Sequence, residues 1–474
     1  MQDVLALLNG LWQPDSHSLA LSLFLRLMGL VYAVAFLSLI VQAKGLLGRN
    51  GILPARDYLA LTRRLGSRRW YYIPTVFWLN CSDAALMAVC TFGIIAGLLL
   101  AAGVFPLAML IILYVFYLSF KSIGQEFLGF QWDALLLESG FASIIIAASG
   151  LHPAALLMAW FMFLKFMVMA GAVKLTSGDR NWRNLTAMAY HYQTQPLPNP
   201  LSWHAHNLPM PVHKLSVLGM LLIEMPLPFL IFGPAEFRLF VFAAQITLQL
   251  AIQLTGNYGP FNLLTAVLAI PLLDDAFLAQ LPQLSLGLPP LLPPPLAVAL
   301  ALFFVLLNAI QLLLLFFGNV PGRGILSLLE PFNICNPYGI FAIMTTKRYE
   351  VIPEWSNDGK KWHEYVFLWK PQEIKARPKL APLHMPRLDW LMWFLPFGSY
   401  ERNPWFLRFL EKLLLNSPDA TALLRSAPRD PPRFVRAVVY DYTFTDAKTR
   451  KSTGRFWSRK FAGEYVPPMG LRDL

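Results

Sequence analysis

Charge is scarce in this chain. Only 14% of its 474 residues are charged, against 56% hydrophobic, and the mean hydropathy is +0.49. A water-soluble domain could not cover that much apolar surface, which excludes a soluble class and points to a polytopic membrane protein. Cysteine is scarce too, with Cys81, Cys90 and Cys335 and no CxxC spacing. Dithiol exchange and a cysteine-built zinc centre are therefore not expected. Cys81 and Cys90 fall nine residues apart on one predicted helix, about 13 Å along its axis, too far to bridge. The histidines have no HExxH frame, and the pair His204 and His206, with His191 upstream, falls short of the three or four fixed ligands a metal needs. No metal or cofactor is expected. No nucleic-acid motif accompanies the net charge of +12, so that excess is assigned to membrane orientation and anionic lipid. The first 18 residues lack a basic n-region and carry Asp3 and Asp15, so the first apolar run is expected to remain as an anchor.

What is abundant is long apolar sequence. Runs of spanning length lie near 19–42, 75–101, 104–120, 133–150, 154–175, 212–233, 237–254 and 296–318, with a weaker one at 260–274. The expected architecture is an α-helical bundle of eight or nine spans over 1–320, followed by a soluble, β-rich, sandwich-like C-terminal domain over 321–474. Two polar loops interrupt the bundle. Segment 44–72 holds seven Lys/Arg and one Asp; segment 176–211 is rich in Pro, His and aromatics. Segment 282–295 is too rich in proline for a helix interior and reads as a connection. In the tail, two strand-like runs flank Asn357-Asp358-Gly359, residues that tolerate a tight turn. A further strand runs through "PPRFVRAVVYDYTFTD", and "ERNPWFLRFLEKLLLNSP" reads as an amphipathic helix opened by Pro404.

Ionisable groups within spans are costly, about 2.5–3.5 kcal/mol each on insertion scales, and need partners or a wet cavity. The intramembrane polar cluster expected here comprises Asp133, Glu138, Lys165, Lys174, Glu224, Gln245 and Gln249. Glu138 and Lys165 lie equally far from the turn at 150–153, so they should meet at one depth. The same count brings Asp133 within about a turn of Lys174, although Asp133 at a helix start also fits a cap. Gln245, Gln249 and Gln253 form a drifting stripe, and Asn308 and Gln311 a similar patch; both also fit interhelical glue.

Four stretches, "GQEFLGFQWDALLLESGF", "AGAVKLTSGDRNWRNLTAMAYHYQTQPLPNPLSWHAH", "NYGPFNLLT" and "RPKLAPLHMPRLDWLMWF", resemble the lipase maturation factor family, over nearly the whole chain from about Leu19. The resemblance implies a chaperone-like membrane factor for secreted proteins, with a lipase-like client. A more distant similarity is to the membrane domain of the vitamin K-dependent gamma-glutamyl carboxylases. It places Lys174, in "AGAVKLTSGDRNW", where those enzymes carry a lysine base. The stretch matching their Asn-His region reads "FQWDALLLESG" and holds no histidine.

The leading expectation is therefore a folding factor rather than a bond-making enzyme, with client secreted protein and membrane lipid as partners. Its client-contact candidates are Trp182, Tyr190, His191, Tyr192, His204 and His206. The alternative is a membrane enzyme acting on a lipid or quinone, with Lys174 as base and Asp133 or His191 assisting. Even numbers of spans separate 44–72, 176–211 and the tail, so all three are expected on one side. The basic residues of 44–72 favour the cytoplasm; the resemblance favours the exoplasm and is followed here. The membrane would be the cell (inner) membrane of a bacterium or the endoplasmic reticulum membrane of a eukaryote.

Overall fold

The computed structural model describes residues 17–473. Among the described residues the bundle is built of nine helices: α1 (Ser18–Ile40), α2 (Asp83–Ala102), α3 (Pro106–Ile123), α4 (Gln131–Ala148), α5 (Pro153–Thr176), α6 (Met210–Glu224, prolonged by the 3-10 turn Leu227–Phe232), α7 (Ala235–Thr255), α8 (Pro260–Leu268) and α9 (Pro294–Phe317). Among the described residues, seven spans are long and apolar enough to cross a membrane. Helix α4 equals α3 in length, at 18 residues, but carries two acids. The short α8 is packed inside the bundle through Phe261, Leu264, Val267 and Leu268. The expected count of eight or nine spans is thus approximate: seven helices meet the length and apolarity of a crossing, and α4 and the nine-residue α8 do not.

Local chemistry sets the helix limits. The Ser82 side chain accepts from Ala85 N and opens α2, and Gly103 closes it at φ +83°, the left-handed position that favours glycine. This corrects the expected span at 75–101 and its cysteine geometry. Cys81 lies before the cap, and residues Val76–Trp78 form a separate 3-10 turn whose Val76 N donates to Ser119 Oγ. Helix α1 is capped from far along the chain: Leu19 N and Ala20 N donate to Asp275 Oδ1 at 2.9 and 3.0 Å, an anion on the positive helix end. Helices α1 and α2 cross closely where Gly29 faces Gly97. A Cβ at Gly29 would lie 2.5 Å from Gly97 O, so small residues let the backbones touch.

The described residues of the tail carry six strands: β1 (Arg348–Ser356), β2 (His363–Glu364), β3 (Val366–Phe367), β4 (Leu424–Ser426), β5 (Phe434–Phe444) and β6 (Trp457–Met469). They form one antiparallel sheet, β2-β1-β5-β6, and a separate β3-β4 pair, rather than the sandwich-like pairing expected. The turn after β1 contains Gly359 at φ +69°. Helix α10 (Pro404–Leu414) buries Trp405, Phe406, Phe409, Leu410 and Leu413 in the same core as Val351, Val435 and Val466 of the sheet. That core is continuous with the bundle's.

The polar loops and the tail meet at one end of the bundle. Ser417 Oγ donates to Asn50 O at 2.7 Å, Tyr71 OH to Leu328 O at 2.6 Å, and Trp203 Nε1 to Thr445 O at 2.8 Å. At the other end the link 269–293 between α8 and α9 is held through Asp274, 2.6 Å from Arg238 Nη2 and 3.1 Å from His17 Nε2. Cysteines placed at Ser67 and Ser452, both exposed, in a Cys81→Ala background, should therefore react with a membrane-impermeant maleimide from the same face. Labelling from opposite faces would contradict this arrangement.

Candidate functional site

The charged residues of the expected cluster, Asp133, Glu138, Lys165, Lys174 and Glu224, separate into three buried pairs, one of them completed by Arg387 of the tail. In the first, Lys165 Nζ of α5 lies 2.6 Å from Glu138 Oε1 of α4, and both side chains are fully buried. The chain after α9 returns to complete this pair. Asn336 N and Tyr338 OH donate to Glu138 Oε2 at 2.9 and 2.6 Å, and Lys165 Nζ donates to Asn336 O at 3.1 Å. Every strong acceptor of the carboxylate is thus engaged, which a buried charge requires. Cys335 Sγ lies 3.7 Å from the same ammonium.

The second pair corrects the expected neighbourhood of Asp133 and Lys174. Asp133, in the first turn of α4, makes no cap bond to its own helix. Its carboxylate receives Arg387 as a fork, Nη2 to Oδ1 at 2.7 Å and Nη1 to Oδ2 at 2.9 Å, the geometry that suits guanidinium best. Tyr117 OH of α3 donates to Oδ1 at 2.6 Å, and Arg387 Nη1 also donates to Phe127 O at 2.7 Å. Residues 384–387 are laced to the end of α1 as well. Gln42 Nε2 donates to Met385 O, Gln42 Oε1 accepts from Arg387 N, and Ser38 Oγ accepts from Met385 N, at 2.8, 2.9 and 2.9 Å.

Lys174 belongs to a third pair, with Glu224 of α6 at 2.7 Å. Its ammonium also donates to Ala170 O at 2.7 Å and lies 5.6 Å from the Trp182 ring. Helices α5 and α6 can approach because residue 171 is glycine: a Cβ there would lie 2.7 Å from Met225 Cγ. The opposite-face geometry of Lys165 and Lys174 therefore serves two partners on two different helices. Gln245 is fully buried, and neither its amide oxygen nor its nitrogen finds a partner among the described residues. Gln249 is buried on the same face, and Gln253 bonds outward to Pro382 O at 3.0 Å.

Loop 176–211 is held by polar groups of the tail and of the link between α7 and α8. Arg348 Nη1 donates to Gln193 O at 2.9 Å and its Nη2 to Pro196 O at 2.9 Å. The same arginine pairs with Glu350, which also takes Lys370 at 2.7 Å. His191 Nε2 lies 2.9 Å from Tyr258 OH, which donates to Gln195 Oε1 at 2.9 Å. Burial and the nearby Lys174 push the His191 imidazole down to about 4, so it is neutral at ordinary pH. Of the expected contact residues, Trp182 and Tyr192 are buried and His204 is exposed, with Tyr190, His191 and His206 between. This corrects Trp182 and Tyr192 as surface contacts: their rings pack the loop against the bundle, and Trp182 Nε1 donates to Phe341 O at 2.9 Å.

Arg387, Tyr117, Tyr338, Asn336 and Arg348 were missed from sequence. Arg387 and Tyr338 lie 254 and 200 residues from the acids they serve, beyond any local spacing rule. The available signal was balance: each acid placed in a span demands a cation or donors, and the strings "NPYG" and "MPRLDW" supply them in otherwise apolar surroundings.

Two outcomes follow. Glu138→Gln strands Lys165 and should cost about 3–5 kcal/mol of stability, whereas Tyr338→Phe removes one bond to a charge and should cost about 1.5 kcal/mol. Denaturant titration of the full chain in detergent checks both, and equal costs would contradict the ranking. The second outcome concerns pH. Burial and Arg387 push His384 down to about 4 from 6.5. Its contribution is complete above pH 6.5 and is lost as pH falls toward 4, because the unfolded chain then binds the proton first. Burial raises Asp389 to about 6 against donors Lys370 N and Trp369 N, so its contribution has the opposite sign between pH 4 and 6. The His384 effect is isolated by difference: between pH 7 and 5 the native chain should lose about 2 kcal/mol more than His384→Gln. An identical pH profile for the two would contradict it.

The comparisons agree with this architecture. The model of the lipase maturation factor transmembrane domain matches residues 19–280, and that of the lipase maturation factor C-terminal domain matches residues 334–467. Lipase maturation factor 1 of Bos taurus is 34% identical, covering 95% of this chain and 89% of its own. Lipase maturation factor 2 of Gallus gallus is 32% identical over 95% of this chain and 81% of its own, and that of Homo sapiens 32% over 95% and 82%. No solved structure matches the chain. With both the helical bundle and the strand-bearing tail matched in order, the chain belongs to the lipase maturation factor family.

Proposed function

We propose that this protein is a membrane-embedded maturation factor that holds a secreted, lipase-like client while it folds. The observation that carries this reading is the end of the bundle where both polar loops and the tail are tied together. That end presents an aromatic ledge. Trp393, Phe394 and Phe397 have ring centroids 4.8–6.4 Å apart, Trp393 Nε1 donates to Thr194 O, and Phe394 and Phe397 are exposed. Exposed rings on a rigid support suit transient contact with unfolded apolar segments. His204 lies on the loop that the same tail holds.

In this reading the protein acts by binding. The enzyme alternative needs Lys174 with a free lone pair, but its ammonium is engaged by Glu224 and Ala170 O. Asp133, its suggested assistant, is occupied by Arg387. The division at 320/321 is then one of environment, bilayer against water, while the two parts share a core. The client-facing end would be exoplasmic, in the inner membrane of a bacterium or the endoplasmic reticulum membrane of a eukaryote.

A photo-crosslinking residue at Phe397 tests the reading, with the same residue at Leu215, exposed on α6, as a lipid-facing control. Adducts with newly secreted chains are expected at 397 and not at 215. Equal adducts at both positions, or none at 397, would overturn it.

A further inference from the structure

We propose that segment 55–72 and helix Arg323–Leu329 form a platform lying in the plane of the membrane surface and binding anionic phospholipid headgroups. The two pieces are far apart in sequence but adjacent in space. Tyr71 OH donates to Leu328 O at 2.6 Å, and the Tyr71 and Phe332 rings lie 5.7 Å apart. Both are anchored at the bundle end, one leading into α2 and the other following α9.

Their outward surface has two components. Large apolar side chains stand open: Leu61 at 69%, Trp70 at 48%, Tyr72 at 55% and Leu328 at 63% of full exposure. In water such a row is unfavourable, at about 25 cal/mol per Å² of apolar surface. At the boundary of headgroups and acyl chains it is favourable, and Trp and Tyr are the residues that belong there. Between them stand Arg56, Arg63, Arg64, Arg68 and Arg323, all exposed. Among the described residues none of the five pairs with a carboxylate, and the side chains of Arg63, Arg64 and Arg68 make no hydrogen bond within the protein. Guanidinium is suited to bidentate phosphate contact. Apolar anchors interleaved with unpaired arginines are the pattern of an interfacial helix that prefers anionic lipid. The surplus charge of 44–72 would then act as a lipid contact on whichever leaflet it faces, and the tail joined to it through Ser417 and Asn50 would be held close to the bilayer.

Backbone hydrogen exchange on the full chain in nanodiscs tests this. Discs of phosphatidylcholine alone are compared with discs containing one part phosphatidylglycerol in five. Each arginine near an anionic surface is worth about fivefold in binding, so amides of 56–72 should exchange at least roughly fivefold more slowly in the anionic discs. The variant Arg63→Gln/Arg64→Gln/Arg68→Gln should exchange at one rate in both, with α5 amides unchanged as a check on folding. Equal rates for the native chain in the two lipids, or a difference that survives in the triple variant, would overturn the proposal.

Discussion

The Arg387 guanidinium lies as a fork against Asp133, one turn inside a helix of the bundle. A carboxylate at that position cannot be left alone, because its desolvation would cost several kcal/mol. Its cation comes from the far end of the chain, so the bundle is electrostatically complete only when the tail is docked. Once Arg387 is seated, its neighbours follow. Met385 and Arg387 bond the end of α1 through Ser38 and Gln42, and Phe127 O accepts a second hydrogen from Arg387 Nη1. Glu138 repeats the arrangement through Asn336 and Tyr338. Two acids on one helix thus bind two separate segments of the tail.

Buried pairs of this kind are poor sources of net stability, since a well-packed apolar pair of similar volume often does as well. Their value here is selectivity. Apolar faces would let the tail settle in many registers on the bundle end, whereas a forked arginine tolerates few. A factor that must present a rigid surface to an unfolded client gains from a tail fixed in one place. The aromatic ledge at 393–397 begins immediately after the helix Arg387–Met392 that carries the fork, so the pair also positions the proposed contact surface.

The spans are legible because an apolar run of bilayer length fits little besides a membrane crossing, and the Glu138–Lys165 depth match follows from counting outward from one turn. Long-range pairing is not legible. The hairpin count directs Asp133 toward Lys174 because it sees only neighbouring helices, while the true partner sits beyond the last span. Glu224 takes Lys174 through a close α5–α6 crossing at Gly171, which periodicity alone does not reveal. The tail's strands are visible as aromatic runs around the Asn357–Gly359 turn, but their partnering is not. Trp182 and Tyr192 look like recognition residues by type; burial, which sequence does not give for a loop, decides otherwise.

The central claim is that Asp133 and Arg387 act as one unit joining tail to bundle. A double-mutant cycle with Asp133→Asn and Arg387→Gln, read by denaturant unfolding of the full chain in detergent, measures it directly. Coupling of about 2 kcal/mol or more is expected for a close, desolvated charge pair. Additive losses, agreeing within about 0.5 kcal/mol, would show that the tail is held by its other contacts and would contradict the account.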